Sequence, residues 1–123
     1  MDKQYKLIRT NMKFNVVERI LLPQMVKTAI TQGNLVEMMS IEHIIKKLSF
    51  DEDEISKFEL KVLDNGNVSW NTKTATDKEI TFTKEQVDIL NKTIDYYDKN
   101  KLIELNMISL IVKIKDLSEK NSD

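Results

Sequence analysis

Four helix-start patterns constrain what this chain can fold into more than any other feature of its sequence. In each one, a residue whose side chain accepts hydrogen bonds precedes a Glu or Gln by three positions. The first side chain can then cap the backbone N–H of the fourth residue, and the fourth side chain can reach back to the first. These capping patterns occur at residues 15–18, 34–37, 51–54 and 83–86. They predict helices that begin near residues 16, 35, 52 and 84.

The apolar residues that follow the first three patterns indicate how far these helices run. Between residues 16 and 30 the apolar side chains recur at spacings of three and four, which is typical of an amphipathic helix. Pro23 lies inside this segment and either kinks the helix or divides it in two. Gly33 is expected to end it. A second helix is predicted to run to about Leu48, and a short third helix to occupy residues 52–57.

The centre of the chain changes to the two-residue period of a β-strand. Apolar residues alternate with polar ones on both sides of an Asp-Asn-Gly turn. A three-residue loop, with Gly66 in the left-handed conformation, places Val62 opposite Val68 and Leu60 opposite Trp70. This register predicts a β-hairpin whose apolar side chains form one buried stripe.

The last third of the chain predicts a helical hairpin with its turn at residues 98–101. The second helix of this hairpin, residues 102–117, is apolar on two faces. The first face is a heptad seam of Ile103, Met107, Leu110, Ile114 and Leu117. The other face, called the second stripe below, is formed by Leu105, Ile108 and Val112. Such a helix is either central to its own domain or buried against another chain, and the sequence leaves both alternatives open.

Together these patterns predict a helix-dominated α+β fold. It is expected to contain four to five helices, ending in the helical hairpin, and a small antiparallel sheet of two to three strands. The β-hairpin lies near residues 58–71 and a third strand near residues 79–82. A single compact domain is predicted over residues 12–117, preceded by an N-terminal extension at residues 1–11. The polar tail at residues 118–123 is expected to fray.

The composition narrows the class of protein. The chain of 123 residues contains no Cys, so disulfides and thiolate metal sites are excluded. It also lacks an apolar run that approaches the roughly 20 residues of a membrane-spanning helix. These features favour a cytoplasmic protein without membrane contact.

Catalytic motifs are missing from the sequence. His43 is the only histidine, so neither a His-based metal cluster nor a Ser-His-Asp triad can form. Glycine occurs only at positions 33 and 66, which excludes the glycine-rich phosphate-binding loops. The acidic run at residues 51–54 is explained by helix capping and lacks the central glycine of a calcium-binding loop. We therefore expect a protein that is not an enzyme and that holds no cofactor or metal.

Two kinds of partner surface remain. The second stripe and Trp70, the sole tryptophan, are candidates for binding another protein or a second copy of the chain. The register that pairs Trp70 with Leu60 favours a core position for the tryptophan. A basic N-terminal segment offers nucleic-acid binding as an alternative, through Lys3, Lys6, Arg9, Lys13 and Arg19. The net charge of −1 and the scarcity of Arg disfavour this alternative.

Several short blocks together resemble a group of small uncharacterised proteins from bacteriophages and integrated elements of low-GC bacteria. The blocks are residues 17–23 (VERILLP), 33–36 (GNLV), 48–54 (LSFDEDE), 69–71 (SWN) and 78–80 (KEI), followed by Lys101-Leu102 leading into Ser109-Leu110. The resemblance begins at Met12. It implies a phage or mobile-element origin and brings no catalytic residues. We accordingly expect a phage-encoded accessory protein that binds a host or defence factor in the host cytoplasm, with a structural component of the virion as the alternative.

Overall fold

A computed structural model describes residues 9–120 of the chain. Its secondary structure follows the order β, three helices, three strands and two helices. The elements are β1 (Arg9–Phe14), α1 (Val16–Ala29), α2 (Leu35–Leu48), α3 (Glu52–Phe58), β2 (Lys61–Val62), β3 (Val68–Ser69), β4 (Lys78–Thr83), α4 (Lys84–Lys99) and α5 (Ile108–Lys120), with a 3₁₀ turn at Leu105–Met107 before α5. The helix-dominated α+β prediction is therefore confirmed.

The four predicted helix starts are all present. Capping is reciprocal in three of them, with both side-chain hydrogen bonds formed at the starts of α1, α3 and α4. At the start of α2, Asn34 accepts from the backbone N–H of Glu37 at 2.9 Å. The Glu37 carboxylate does not return to Asn34 but accepts from Lys92 Nζ of α4 at 2.9 Å. The ion pair between Glu37 and Lys92 takes the place of the hydrogen bond from the backbone N–H of Asn34 to Glu37 that a reciprocal cap would contain.

Helix α1 runs without a break through Pro23 and ends at Ala29. Of the two alternatives for Pro23, a kink or a division of the helix, the division is excluded. Gly33 is also not the residue that ends the helix, because Ile30 is already extended and Gly33 lies three residues further along. The backbone N–H of Ile30 still donates to the carbonyl of Val26, so the last turn is closed before the chain leaves the helix.

The predicted third strand, β4, pairs with β1 and not with the β-hairpin. This antiparallel pair runs from Arg9 opposite Thr83 to Phe14 opposite Lys78. The boundary that assigned residues 1–11 to an extension therefore falls inside β1. Tertiary packing explains the pairing, because Phe14, Ile80 and Phe82 are all buried. The rings of Phe14 and Phe82 meet edge to face with centroids 5.8 Å apart, a favoured aromatic geometry.

Lysine side chains satisfy backbone carbonyls on both strands of this sheet. Lys47 Nζ of α2 donates to the carbonyl of Thr81 at 2.7 Å, and Lys113 Nζ of α5 donates to the carbonyl of Lys13 at 2.9 Å. Carbonyls that point away from the partner strand would otherwise be available to another chain. The two lysines therefore tie the sheet to the helices that flank it.

The β-hairpin has the predicted register but not the predicted burial. Val62 pairs with Val68, and Gly66 adopts a left-handed φ of 88° in the turn. Each strand, however, is only two residues long, because Phe58 belongs to the last turn of α3. Val62 is 76% exposed, so the expected buried stripe does not exist. The hairpin lies on the surface of the helices and is too short to form a core of its own.

The C-terminal helical hairpin is formed by α4 and α5, which pack against each other. Helix α5 begins at Ile108 and not at residue 102. Lys101 takes a left-handed φ of 57° directly after α4, residues 102–104 are irregular, and the 3₁₀ turn at Leu105–Met107 precedes the helix. Four seam residues are buried as predicted: Met107, Leu110, Ile114 and Leu117. Ile103 is exposed, which corrects its assignment to the seam. The helix also continues to Lys120, and Ser118 accepts a hydrogen bond from Asn91 of α4 at 2.9 Å, so the tail does not fray at Ser118.

The hydrophobic core lies between α1, α2, α4, α5 and the β1–β4 sheet. Within residues 9–120, no helix is both long enough and apolar enough to cross a membrane.

Candidate protein-binding surface

The second stripe of the C-terminal segment lies on the protein surface. Leu105 is 88% exposed, Val112 61% and Ile108 48%, whereas Leu110 and Ile114 on the opposite side of the same segment are completely buried. The two apolar faces inferred from the sequence therefore have different environments. The seam packs against the core of this chain, and the second stripe has no cover within the described residues.

A buried carboxylate holds α5 in the orientation that exposes this stripe. Glu18, near the start of α1, accepts from Ser109 Oγ at 3.0 Å and from Lys113 Nζ at 2.7 Å. The same carboxylate accepts from the backbone N–H of Asn15 at 2.9 Å as part of the helix cap. Because Ser109 and Lys113 lie one turn apart, both contacts fix the same side of α5 against α1. The second stripe consequently faces away from the domain on a rotationally fixed helix.

Trp70 is half-buried and forms a wall shared by two clefts. The larger cleft, about 440 Å³, lies between α1, the hairpin and the turn before α5. Asn106 lines it, and Asn106 is the neighbour of Leu105 along the chain. The smaller cleft, about 170 Å³, shares Val17 and Trp70 with the larger one and adds Ala75. Trp70 is thus neither a core residue nor a fully exposed anchor, and the structure places its larger cleft next to the beginning of the second stripe.

The larger cleft beside Trp70 is lined without a single charged side chain. Its apolar walls come from Val17, Ile20, Leu21, Val68 and Trp70, and its polar groups are the amides of Gln24, Asn67 and Asn106. An apolar cleft with a few amides at its edge suits a partner side chain that brings no charge with it.

One of the five basic residues predicted to bind nucleic acid, Arg19, is buried inside the domain. Arg19 is only 1% exposed, and its guanidinium donates to the carbonyls of Leu48 and Ser49 at 3.1 and 2.6 Å. It also donates two hydrogen bonds to the carboxylate of Glu54, at 2.8 and 2.9 Å. A buried guanidinium that donates four hydrogen bonds within the domain cannot reach a phosphate, so Arg19 is corrected from a candidate contact to a structural residue.

The other members of the basic set remain only partly placed. Lys13 is exposed at the end of β1. Lys3, Lys6 and the side chain of Arg9 lie outside the described residues. The structure therefore does not assemble these cations into one patch.

The remaining polar candidates are explained by local structure. His43 is exposed on α2, and the acidic run at residues 51–54 caps α3. The guanidinium of Arg19 lowers the pKa of Glu54 below its ordinary value by hydrogen bonding, and the ammonium of Lys92 lowers the pKa of Glu37 in the same way. Over residues 9–120, no group of three or more His, Asp or Glu side chains is arranged to hold a metal ion.

A second exposed apolar surface at the start of α2 was not predicted. Leu35 and Val36, in the first turn of this helix, are largely exposed, and Met39 is half-exposed one turn later. Leu35 and Met39 border a groove of about 590 Å³ between α1 and α2 that also contains Ile30 and Met38. The signal for this surface was the pair of adjacent apolar residues directly after the cap, at the first two positions of α2.

Comparisons of the chain with protein-family models, with curated proteins and with solved structures gave no significant match.

Proposed function

We propose that this chain is a small accessory protein of phage or mobile-element origin that acts without catalysis, by binding another protein through the second stripe. The observation that carries this proposal is the exposure of Leu105, in the 3₁₀ turn before α5, and of Ile108 and Val112 on α5, whose opposite face is buried at Leu110, Ile114 and Leu117. Exposed aliphatic side chains that follow one another along the chain at spacings of three and four are a feature of protein-binding surfaces.

The manner in which α5 is held adds support to this proposal. Glu18 holds the helix through Ser109 and Lys113, so the backbone that carries Ile108 and Val112 is already ordered before a partner binds. A preorganised surface loses less entropy on association than a mobile one. The uncharged cleft at Trp70 extends the surface, because an aromatic wall beside an apolar helix is a favoured site for a partner's anchor residue.

The proposed partner is a protein of the host cell, such as a defence factor. The resemblance of the sequence blocks to phage and mobile-element proteins is the basis for this choice. The host cytoplasm is the proposed location.

A pull-down from host lysate tests the proposal. The bait proteins are the wild type, Ile108→Asp in the second stripe, and the matched control Val36→Asp, which introduces the same charge at an exposed apolar position of α2. We expect the wild type and the control to retain a common protein that Ile108→Asp does not retain. Equal retention by Ile108→Asp, or no retained protein with any bait, would contradict the proposal.

The same exposed face also suits a structural component of the virion, in which copies of the chain would cover one another's second stripes. Light scattering on the purified protein separates this alternative. A monomer that retains a host protein supports the accessory role, whereas a ring or polymer that Ile108→Asp dissociates supports the structural role.

A further inference from the structure

The turn of the β2–β3 hairpin contains two neighbouring residues that can react with each other. Asn65 is followed by Gly66, and no other asparagine in the chain precedes a glycine. The backbone nitrogen of the residue after an asparagine can attack the side-chain amide, and glycine has no side chain to obstruct that approach. Both residues are exposed. Beyond the chain neighbours of Gly66, no described atom lies within 4 Å of the place where a Cβ would stand, so water reaches the turn freely.

The backbone of the turn supports this attack electrostatically. Oδ1 of Asn65 accepts a hydrogen bond from the backbone N–H of Asn67 at 3.0 Å. Negative charge develops on Oδ1 when a nucleophile adds to the amide carbon, and a donor already directed at that oxygen stabilises the charge. This contact spans only two residues, so it does not depend on the pairing of the two strands.

Two hydrogen bonds across the turn oppose the attack. The backbone N–H of Gly66 donates to the carbonyl of Leu63 at 2.9 Å, and the N–H of Leu63 donates to the carbonyl of Asn67 at 2.7 Å. The strands on either side are only two residues long, and Val62 is 76% exposed. Local opening of this turn therefore uncovers little apolar surface and requires no unfolding of the core.

We infer that Asn65 is a site of spontaneous deamidation, through a cyclic imide formed with Gly66. The nitrogen of Gly66 forms a bond to Cγ of Asn65, the bond from Cγ to Nδ2 breaks, and ammonia leaves with the proton of the Gly66 N–H. Water then opens the imide. Opening at Cγ gives aspartate, and opening at the main-chain carbonyl gives isoaspartate. Water is the only co-reactant, and no atom changes its oxidation state.

The isoaspartate product would change the wall of the larger cleft beside Trp70. Its main chain runs through Cβ and Cγ and is longer by a carbon atom, so the hydrogen bonds of Leu63 across the turn lose their register. A carboxylate also replaces a neutral amide. Gly66 and Asn67 line this cleft, whose side chains are all uncharged. The modification therefore brings a negative charge next to the cleft and loosens its wall, whatever partner the second stripe binds.

Incubation of the purified protein at neutral pH and body temperature tests the inference. Peptide mass spectrometry follows each asparagine over time, and an isoaspartate-specific methyltransferase with a labelled methyl donor detects the isoaspartate product. We expect Asn65 to convert at least about tenfold faster than Asn100 and Asn106, which are also exposed but precede residues with side chains. Conversion of Asn65 at the rate of these two internal references would overturn the inference.

Substitution of the asparagine identifies the labelled position. Asn65→Gln keeps the amide but would have to close a larger ring, so its methyltransferase labelling should fall to background. Asn100→Gln is the matched control and should be labelled as the wild type is. Equal labelling of Asn65→Gln and the wild type would contradict the assignment.

The route through local opening has its own test in the Leu110→Ala variant, because Leu110 is completely buried far along the chain from the turn. The rate at Asn65 should match that of the wild type if only the turn opens. A rate that rises in proportion to the loss of global stability would overturn the local route.

The effect on the cleft is measured on the modified protein itself. Anion-exchange chromatography separates the incubated protein that has gained a negative charge. Compared with fresh protein, this fraction should show altered fluorescence of Trp70, the sole tryptophan, and shifted methyl NMR signals of Val62 and Val68. An unchanged spectrum in both measurements would overturn the proposed effect on the cleft.

Discussion

Arg19 of α1 and Glu54 of α3 form a two-pronged ion pair across 35 residues of chain, with N–O distances of 2.8 and 2.9 Å. The same carboxylate accepts from the backbone N–H of Asp51 at 3.1 Å, so it closes the cap of α3 while it neutralises the arginine. Arg19 in turn donates to the carbonyls that follow α2. One buried guanidinium thus joins three consecutive helices.

We expect Glu54→Gln to destabilise the protein by about 3 kcal/mol, because it leaves a buried guanidinium without its counter-charge. Chemical denaturation monitored by circular dichroism measures the change in the free energy of unfolding. Glu52→Gln is the matched control, since Glu52 is exposed two residues away on the same helix, and it should change stability by less than about 0.5 kcal/mol. Similar losses in both variants would show that the pair contributes little.

The pair also predicts a pH dependence. Hydrogen bonding from Arg19 lowers the pKa of Glu54 below its ordinary value of 4.5. The stabilisation is therefore fully present above that ordinary value and is lost as the pH falls through the lower pKa of the folded protein. The difference in unfolding free energy between the wild type and Glu54→Gln should be constant near neutral pH and should shrink in acid. A difference that grows as the pH falls would contradict this assignment.

Truncating a side chain on the buried face of α5 should lower the stability far more than truncating one on its exposed face. Leu110→Ala creates a cavity in the core and should cost about 3 kcal/mol of stability. Val112→Ala removes a largely exposed side chain and should change stability by less than about 0.5 kcal/mol. Thermal unfolding of the two variants side by side provides the measurement. A large loss for Val112→Ala would mean that the second stripe is already covered, by another copy of the chain.

Lys113→Met tests how α5 is fixed. The substitution keeps the length of the side chain but removes the donor to Glu18 and to the carbonyl of Lys13, leaving a buried carboxylate with one hydrogen bond fewer. We expect a loss of about 1–3 kcal/mol, together with faster amide hydrogen exchange in α5. Lys115→Met, at an exposed position of the same helix, is the control and should leave both measurements unchanged.

Some features of the candidate surface follow directly from the sequence. The spacing of Leu105, Ile108 and Val112 identifies a stripe separate from the heptad seam, and the structure keeps the two apart. Spacing alone does not tell whether such a stripe is covered. Coverage depends on what lies opposite α5, and the contact that decides it, from Lys113 to Glu18, joins residues 95 positions apart.

The pairing of strand β1 is likewise a feature that the local sequence does not reveal. Met12 and Phe14 alternate with polar residues, which is a strand pattern, but it is short and lies beside a cluster of basic residues. Its partner β4 is almost 70 residues away, so no local turn indicates the pairing. Only the shared burial of Phe14, Ile80 and Phe82 specifies it.

The sequence by itself determined where the first four helices begin and how the hairpin turns. Those features depend on hydrogen bonds and backbone angles within a few residues. The capping side chains of Asn15, Asp51 and Thr83 and the left-handed backbone of Gly66 are therefore sufficient to specify them. Only the tertiary structure decided that Arg19 is buried, that β1 pairs with β4, and that the second stripe faces outward. Each of these depends on contacts between segments distant in the chain, where a basic side chain or an apolar stripe has the same local pattern whether it is buried or exposed.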